Sequence, residues 1–117
     1  MDVYRKNSGK QFVPAGHAGI SAQVVFNPEG GSLRASVLIS TLSKGGGMAE
    51  EVHDGSDQIF YVLQGRVRAF SQGQTVATLE EGDAILVAAG DFHSFSNEGE
   101  GDCRLPVITA PPVGLTR

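Results

Sequence analysis

Eight stretches of the chain either alternate apolar with polar side chains or concentrate β-branched residues: Gln23 to Phe26, Leu33 to Leu42, Ile59 to Leu63, Arg66 to Phe70, Thr75 to Leu79, Ala84 to Ala88, Phe92 to Ser96 and Arg104 to Thr109. A period of two is that of a strand with one face turned to a core. Between the stretches lie NPEGG (27 to 31), SKGGG (43 to 47), HDGSD (53 to 57), Gln64-Gly65, Gln72-Gly73, Glu81-Gly82 and NEGEG (97 to 101), each with a glycine able to take the positive φ of a tight turn. Gly or Pro interrupts every window long enough to hold a helical apolar stripe. The pattern predicts an all-β chain, an antiparallel meander folded into a sandwich or small barrel, with helix content near zero.

The faces of these strands bear on assembly. If Gln64-Gly65 is a two-residue hairpin turn, Gln58, Phe60, Val62, Val67, Ala69 and Ser71 share one face, and Ile59, Tyr61, Leu63, Arg66, Arg68 and Phe70 share the other. Large apolar groups then stand on both faces, which predicts that part of the outer one is covered by another strand or by a second subunit, and a homodimer is the expectation. The first ten residues and the tail from Pro111 to Arg117 are the segments expected to fray.

Composition narrows the class of function. A chain of 117 residues with 40% hydrophobic and 19% charged residues suits one packed domain. Its 9 Lys and Arg against 13 Asp and Glu give a net charge of -4, whereas nucleic-acid binding calls for a basic stripe, so no nucleic-acid partner is expected. The longest apolar run, Ala84 to Ala89, is far short of a bilayer span, and the polar start MDVYRKNSGK lacks the apolar core of a signal peptide. No membrane association and a cytoplasmic location are therefore expected. The single cysteine, Cys103, permits no internal disulfide and excludes multi-cysteine zinc chemistry. It reads as a small buried hydrophobe.

Candidate chemistry gathers around two of the three histidines. Glu51 and His53 stand two apart, so in an extended segment their side chains leave the same face. Gln58 opens the next strand after a turn that returns the chain near His53, and His93 comes from a distant strand. Two imidazoles, a carboxylate and an amide oxygen pointing into a barrel form a donor set for one divalent ion. A competing reading makes Glu51 and Gln58 solvated turn residues and His93 an internal hydrogen-bonded imidazole. His17 has no such company in the sequence. Phe60, Val62, Phe95 and Leu38 are expected to wall the cavity. Glu50 should point away from Glu51, and Asp57 and Asp91 either orient an imidazole or shape turns.

These residues resemble the small single-domain cupins. The first cupin motif runs Gly, five residues, His-x-His, three or four residues, Glu, six residues, Gly, and GGGMAEEVHDGSDQIFYVLQG (45 to 65) matches its frame. Gly65 closes it, Gln58 falls where the motif has its metal-binding Glu, His53 on the second His and Glu51 on the first. In the second motif Gly82, Gly90, His93 and Asn97 fall into place, with Ala88 instead of Pro. Glu51-x-His53 followed by Asp57-Gln58 and an apolar residue is similar to a recurring cupin variant whose ligands are Glu, His, Gln and His. The resemblance spans about Leu33 to Thr109 and implies one domain over 1–117. It implies a double-stranded β-helix, the jelly-roll barrel, with the segment 1–32 packed on it or on a dimer partner. It also implies one divalent metal, iron, manganese, zinc or nickel, on Glu51, His53, Gln58 and His93.

Two imidazoles and a carboxylate resemble the facial triad of non-haem ferrous oxygenases, and the same centre could act as a Lewis acid. The expectation is a metal-dependent enzyme on a small organic substrate, dioxygenase slightly ahead of lyase or isomerase. The alternative from another class is a non-catalytic binding or sensor barrel, since fold does not fix reaction.

Overall fold

The computed structural model describes residues 1–14, 16–30 and 34–113; the expected strand start at Leu33, Gly31 of the NPEGG turn and the tail 114–117 lie outside them. Nine strands form among the described residues: β1 (Gln11–Phe12), β2 (Ala18–Phe26), β3 (Ser36–Glu51), β4 (Asp57–Tyr61), β5 (Val67–Ser71), β6 (Gln74–Leu79), β7 (Ala84–Val87), β8 (His93–Ser96) and β9 (Cys103–Ala110). The only helical element among the described residues is a 3-10 turn at Pro28–Gly30. All pairings are antiparallel.

The order is that of a jelly roll: β6-β5-β8-β3-β9-β4-β7, with β2 on β3 and β1 on β2. Strand β3 is the hinge between the two layers. Its first half, Ser36 to Leu42, pairs with β9, while Gly47 to Glu51 pair with β8. The glycines that signalled a turn at 45–47 instead bend a continuous strand, because partners on both sides hold its backbone: on one, Gly45 N–H donates to Asn97 O and Asn97 N–H to Gly46 O, and on the other Ala18 of β2 pairs with Gly47. At the bend β2 crosses β3 so closely that a Cβ on Gly46 would strike Gly19 O, and Gly19 itself takes φ +66°. Only glycine fits that crossing.

The expected hairpin at Gln64-Gly65 does not form. β4 pairs with β7 and β9, and β5 with β6 and β8, so the turn carries the chain from one layer to the other, and the meander gives way to crossovers. Gly65 is needed there for close approach: its φ is +84°, and a Cβ would stand 2.6 Å from Asp102 O. The predicted alternation survives for a different reason. Gln58, Phe60, Val62, Val67 and Ala69 are all buried because both layers turn that face inward. Phe60 of β4 and Phe95 of β8 meet across the interior with ring centroids 4.4 Å apart.

The outer face of the β7-β4-β9 layer is apolar. Leu86, Ile59 and Ile108 are register partners across three strands and are 63%, 41% and 38% exposed. Val37 of β3 and Phe26 of β2 continue the same row.

Candidate metal centre and ligand cavity

The interior opens into a cavity of about 520 Å³. Glu51, at the end of β3, His53 just beyond it and Gln58 at the start of β4 all line this space. His93 opens β8 and is the ladder partner of Glu51. Its ring lies 5.5 Å from that of His53, centroid to centroid, and 5.9 Å from Phe60. Turn bonds fix the loops that deliver these groups. Gly90 N–H donates to His53 O, Ala89 N–H to the Asp57 carboxylate and Ala88 N–H to the Asp91 carboxylate. Asp57 and Asp91 thus use their side chains as turn acceptors, and the backbone of Asp91 does the orienting.

His93 Nδ1 is 3.0 Å from Asp91 O. A carbonyl can only accept, so Nδ1 carries the hydrogen and Nε2 keeps its lone pair. This is the tautomer a metal-ligating histidine adopts when its far nitrogen is tied down. Gln58 Nε2 donates to Thr109 Oγ1 at 3.1 Å, while Gln58 Oε1 is buried with no hydrogen-bond partner. An unpaired buried acceptor costs free energy unless something fills it, and a cation is one such partner.

Glu51 is placed differently. Its Oε1 lies 3.2 Å from Nε2 of His17, whose side chain is 7% exposed. Ala49 N–H donates to His17 Nδ1 at 2.8 Å, so Nε2 bears the hydrogen and donates it to the carboxylate. No three of the His, Cys, Asp and Glu side chains among the described residues stand close enough together to hold an ion by themselves. His53, His93 and Gln58 fit a divalent ion as neutral nitrogen and oxygen donors; Glu51 engages His17 through Oε1, and its second carboxylate oxygen is the one it has to offer an ion.

His17 is the residue that sequence reasoning passed over. It precedes β2, whose Ala18 pairs with Gly47, and that register sets the imidazole beside Ala49 and Glu51. Of the four expected cavity walls, Leu38 and Phe60 line the space. Val62 and Phe95 share the inward face but sit in the closed core, at 0% and 2% exposure. Glu50 points away as expected, accepting from Gln72 N–H. Asn97, of the second motif, is a buried brace that donates to Leu42 O and Gly101 O. Cys103 is free and fully buried, and burial pushes its thiol up to about 11.

The cupin domain model matches residues 38–109, more than half of the chain, a span that includes Glu51, His53, Gln58 and His93 but not His17. The chain belongs to the cupins. Solved structures with the same fold include a polyketide cyclase, RemF, from Streptomyces resistomycificus, with a TM-score of 0.84 and 20% identity over 97% of this chain and 82% of that one. A predicted oxalate decarboxylase from Thermotoga maritima gives 0.82 and 19% identity, covering 94% and 99%. A sugar phosphate isomerase of the cupin superfamily from Silicibacter pomeroyi gives 0.79 and 16%, covering 93% and 75%. Among curated proteins none matches the chain. At these identities the likeness to solved structures is one of fold.

Proposed function

We propose that this cupin is a metal-dependent enzyme acting on a small organic molecule inside the barrel, by proton transfer rather than by oxygen insertion. The observation that carries the reading is the unpartnered buried Oε1 of Gln58, in a cavity shared with His53, whose ring lies 5.5 Å from that of His93. A divalent ion on these three groups, whether iron, manganese, zinc or nickel, would polarise a bound carbonyl. The chain's own contribution is the Glu51 and His17 pair. The Nε2–H of His17 holds the Glu51 carboxylate in place, and the carboxylate takes and returns the substrate's proton. A carboxylate fixed beside the cavity by the Nε2–H of His17 is a positioned base, and this supports lyase, isomerase or cyclisation chemistry ahead of oxygenation. The printed activities of the three structural relatives, a cyclase, a predicted decarboxylase and an isomerase, are in keeping with this order.

The test is hydrogen exchange in heavy water. Protein loaded with manganese or zinc is incubated with small ketones and phenols, and loss of the acidic C–H signal is followed by proton NMR. Exchange that Glu51→Gln slows about 100-fold is expected. Dioxygen uptake by the ferrous protein without exchange would reverse the reaction class, and tight ligand binding with no turnover on any metal would leave the sensor barrel as the better account.

The apolar row of Leu86, Ile59 and Ile108 supports self-association through the outer sheet face, placed back to back about a two-fold axis. Sedimentation should give a dimer that Ile59→Lys converts to monomer; a monomeric parent chain would contradict it.

A further inference from the structure

The register of the cavity wall sorts its residues by polarity. Gln58 pairs with Thr109 and Thr109 with Ser36, which makes one polar row across β4, β9 and β3. The next inward row, Phe60, Val107, Leu38 and Val24, is wholly apolar and runs across β4, β9, β3 and β2. Among the described lining residues there is no lysine and no arginine, and the groups that can carry charge are His17, Glu51 and His53.

A carboxylate or phosphate buried against this described wall, away from the ion proposed on His53, Gln58 and His93, would lose its water and find no lysine or arginine there, with the Glu51 carboxylate on the same surface. An uncharged ligand pays no such penalty. Thr109 Oγ1 accepts from Gln58 Nε2, which leaves its own hydrogen to donate to a carbonyl or hydroxyl oxygen. We infer that the cavity selects an uncharged amphipathic molecule, with one carbonyl or hydroxyl end on Thr109 and Ser36 and an apolar body on Phe60, Val107, Leu38 and Val24. This rests on the reading that the cavity is the ligand site, and it sets the chain's ligand apart from sugar phosphates and small dicarboxylates.

The experiment compares two probes of one shape, 2-naphthamide and 2-naphthoate, by isothermal titration of the full chain as purified and after chelation. Naphthamide should bind about tenfold tighter than naphthoate to the chelated protein. Leu38→Arg, and Val24→Arg as a second variant should the first misfold, should turn that preference toward naphthoate. A naphthoate preference that is present in the protein as purified and vanishes on chelation would show that the bound ion, not the wall, selects the ligand, and overturns the inference for the loaded protein. Naphthoate binding as tightly as naphthamide, or more tightly, in both preparations overturns the inference alone. Naphthamide binding that Leu38→Trp leaves unchanged, or no binding of either probe, overturns the cavity as the ligand site and the inference with it.

Discussion

Nε2 of His17 lies 3.2 Å from Oε1 of Glu51, and the same imidazole accepts the Ala49 N–H through Nδ1, so a residue ahead of β2 holds the last residue of β3. The bond carries no full positive charge, because a protonated imidazole could not accept from Ala49. A double-mutant cycle on His17→Ala and Glu51→Ala, read by urea unfolding, should therefore give a coupling of about 1 kcal/mol, the range of a single net hydrogen bond. Strict additivity would show that the contact contributes nothing.

Gln58 offers two substitutions with opposite signs. Gln58→Glu puts a carboxylate where the amide oxygen is orphaned and should tighten binding of a divalent ion, while Gln58→Leu should weaken it, both read by titration with manganese or zinc. Thr109→Val removes the acceptor of Gln58 Nε2 and should cost about 1 to 3 kcal/mol of stability, the penalty of a buried donor left unpaired. An unchanged urea midpoint in Thr109→Val would contradict the bond.

The β2 and β3 crossing is what delivers His17. Gly46→Ala would drive a methyl into Gly19 O, and Gly19→Ala would add left-handed strain of about 1 to 2 kcal/mol by itself. Both variants should be destabilised and should lose the coupling between His17 and Glu51 in the double-mutant cycle. Retention of that coupling in Gly46→Ala would mean that the crossing does not position the imidazole.

How much of this was legible in the sequence depends on range. Alternation around Phe60 and Val67 marked the inward face correctly, because one inward face per strand is a local property of the pleat. The partner of each strand is not local. Gly65 signals a positive φ, but nothing near it says whether the chain turns back as a hairpin or crosses to the opposite layer. Spacing and the motif frames point to Glu51, His53, Gln58 and His93; the structure sets Glu51, His53 and Gln58 along the cavity and the His93 ring 5.5 Å from that of His53. The engagement of Glu51 by His17 depends on the pairing of Ala18 with Gly47, and that register leaves no mark in the residues around His17. Period two puts Val62 on the inward face with Phe60, while depth along that face is set by where the two layers close, and Val62 falls in the closed core.

Cys103 should be inert toward thiol reagents in the folded chain. Burial raises its thiol from the ordinary 9.0 to about 11, so at pH 8 the thiolate is scarce and access is closed. The sign for stability follows from the raised value. The contribution is whole below about 9, where the unfolded thiol is still protonated, and is lost as pH rises from there through about 11. Rapid labelling by Ellman's reagent at pH 8 without denaturant would contradict the burial.

The central claim is that His53, Gln58 and His93 hold one divalent ion in the barrel. Equilibrium dialysis of the full chain and of a His53→Ala, His93→Ala double variant against manganese, zinc, nickel or ferrous iron, with the metal counted by elemental analysis, tests it most directly. About one equivalent in the parent chain and none in the folded double variant, with a melting temperature that rises on loading only in the parent, is the result expected. One equivalent retained by the double variant, or none taken up by the parent chain for any of the four ions, would contradict it.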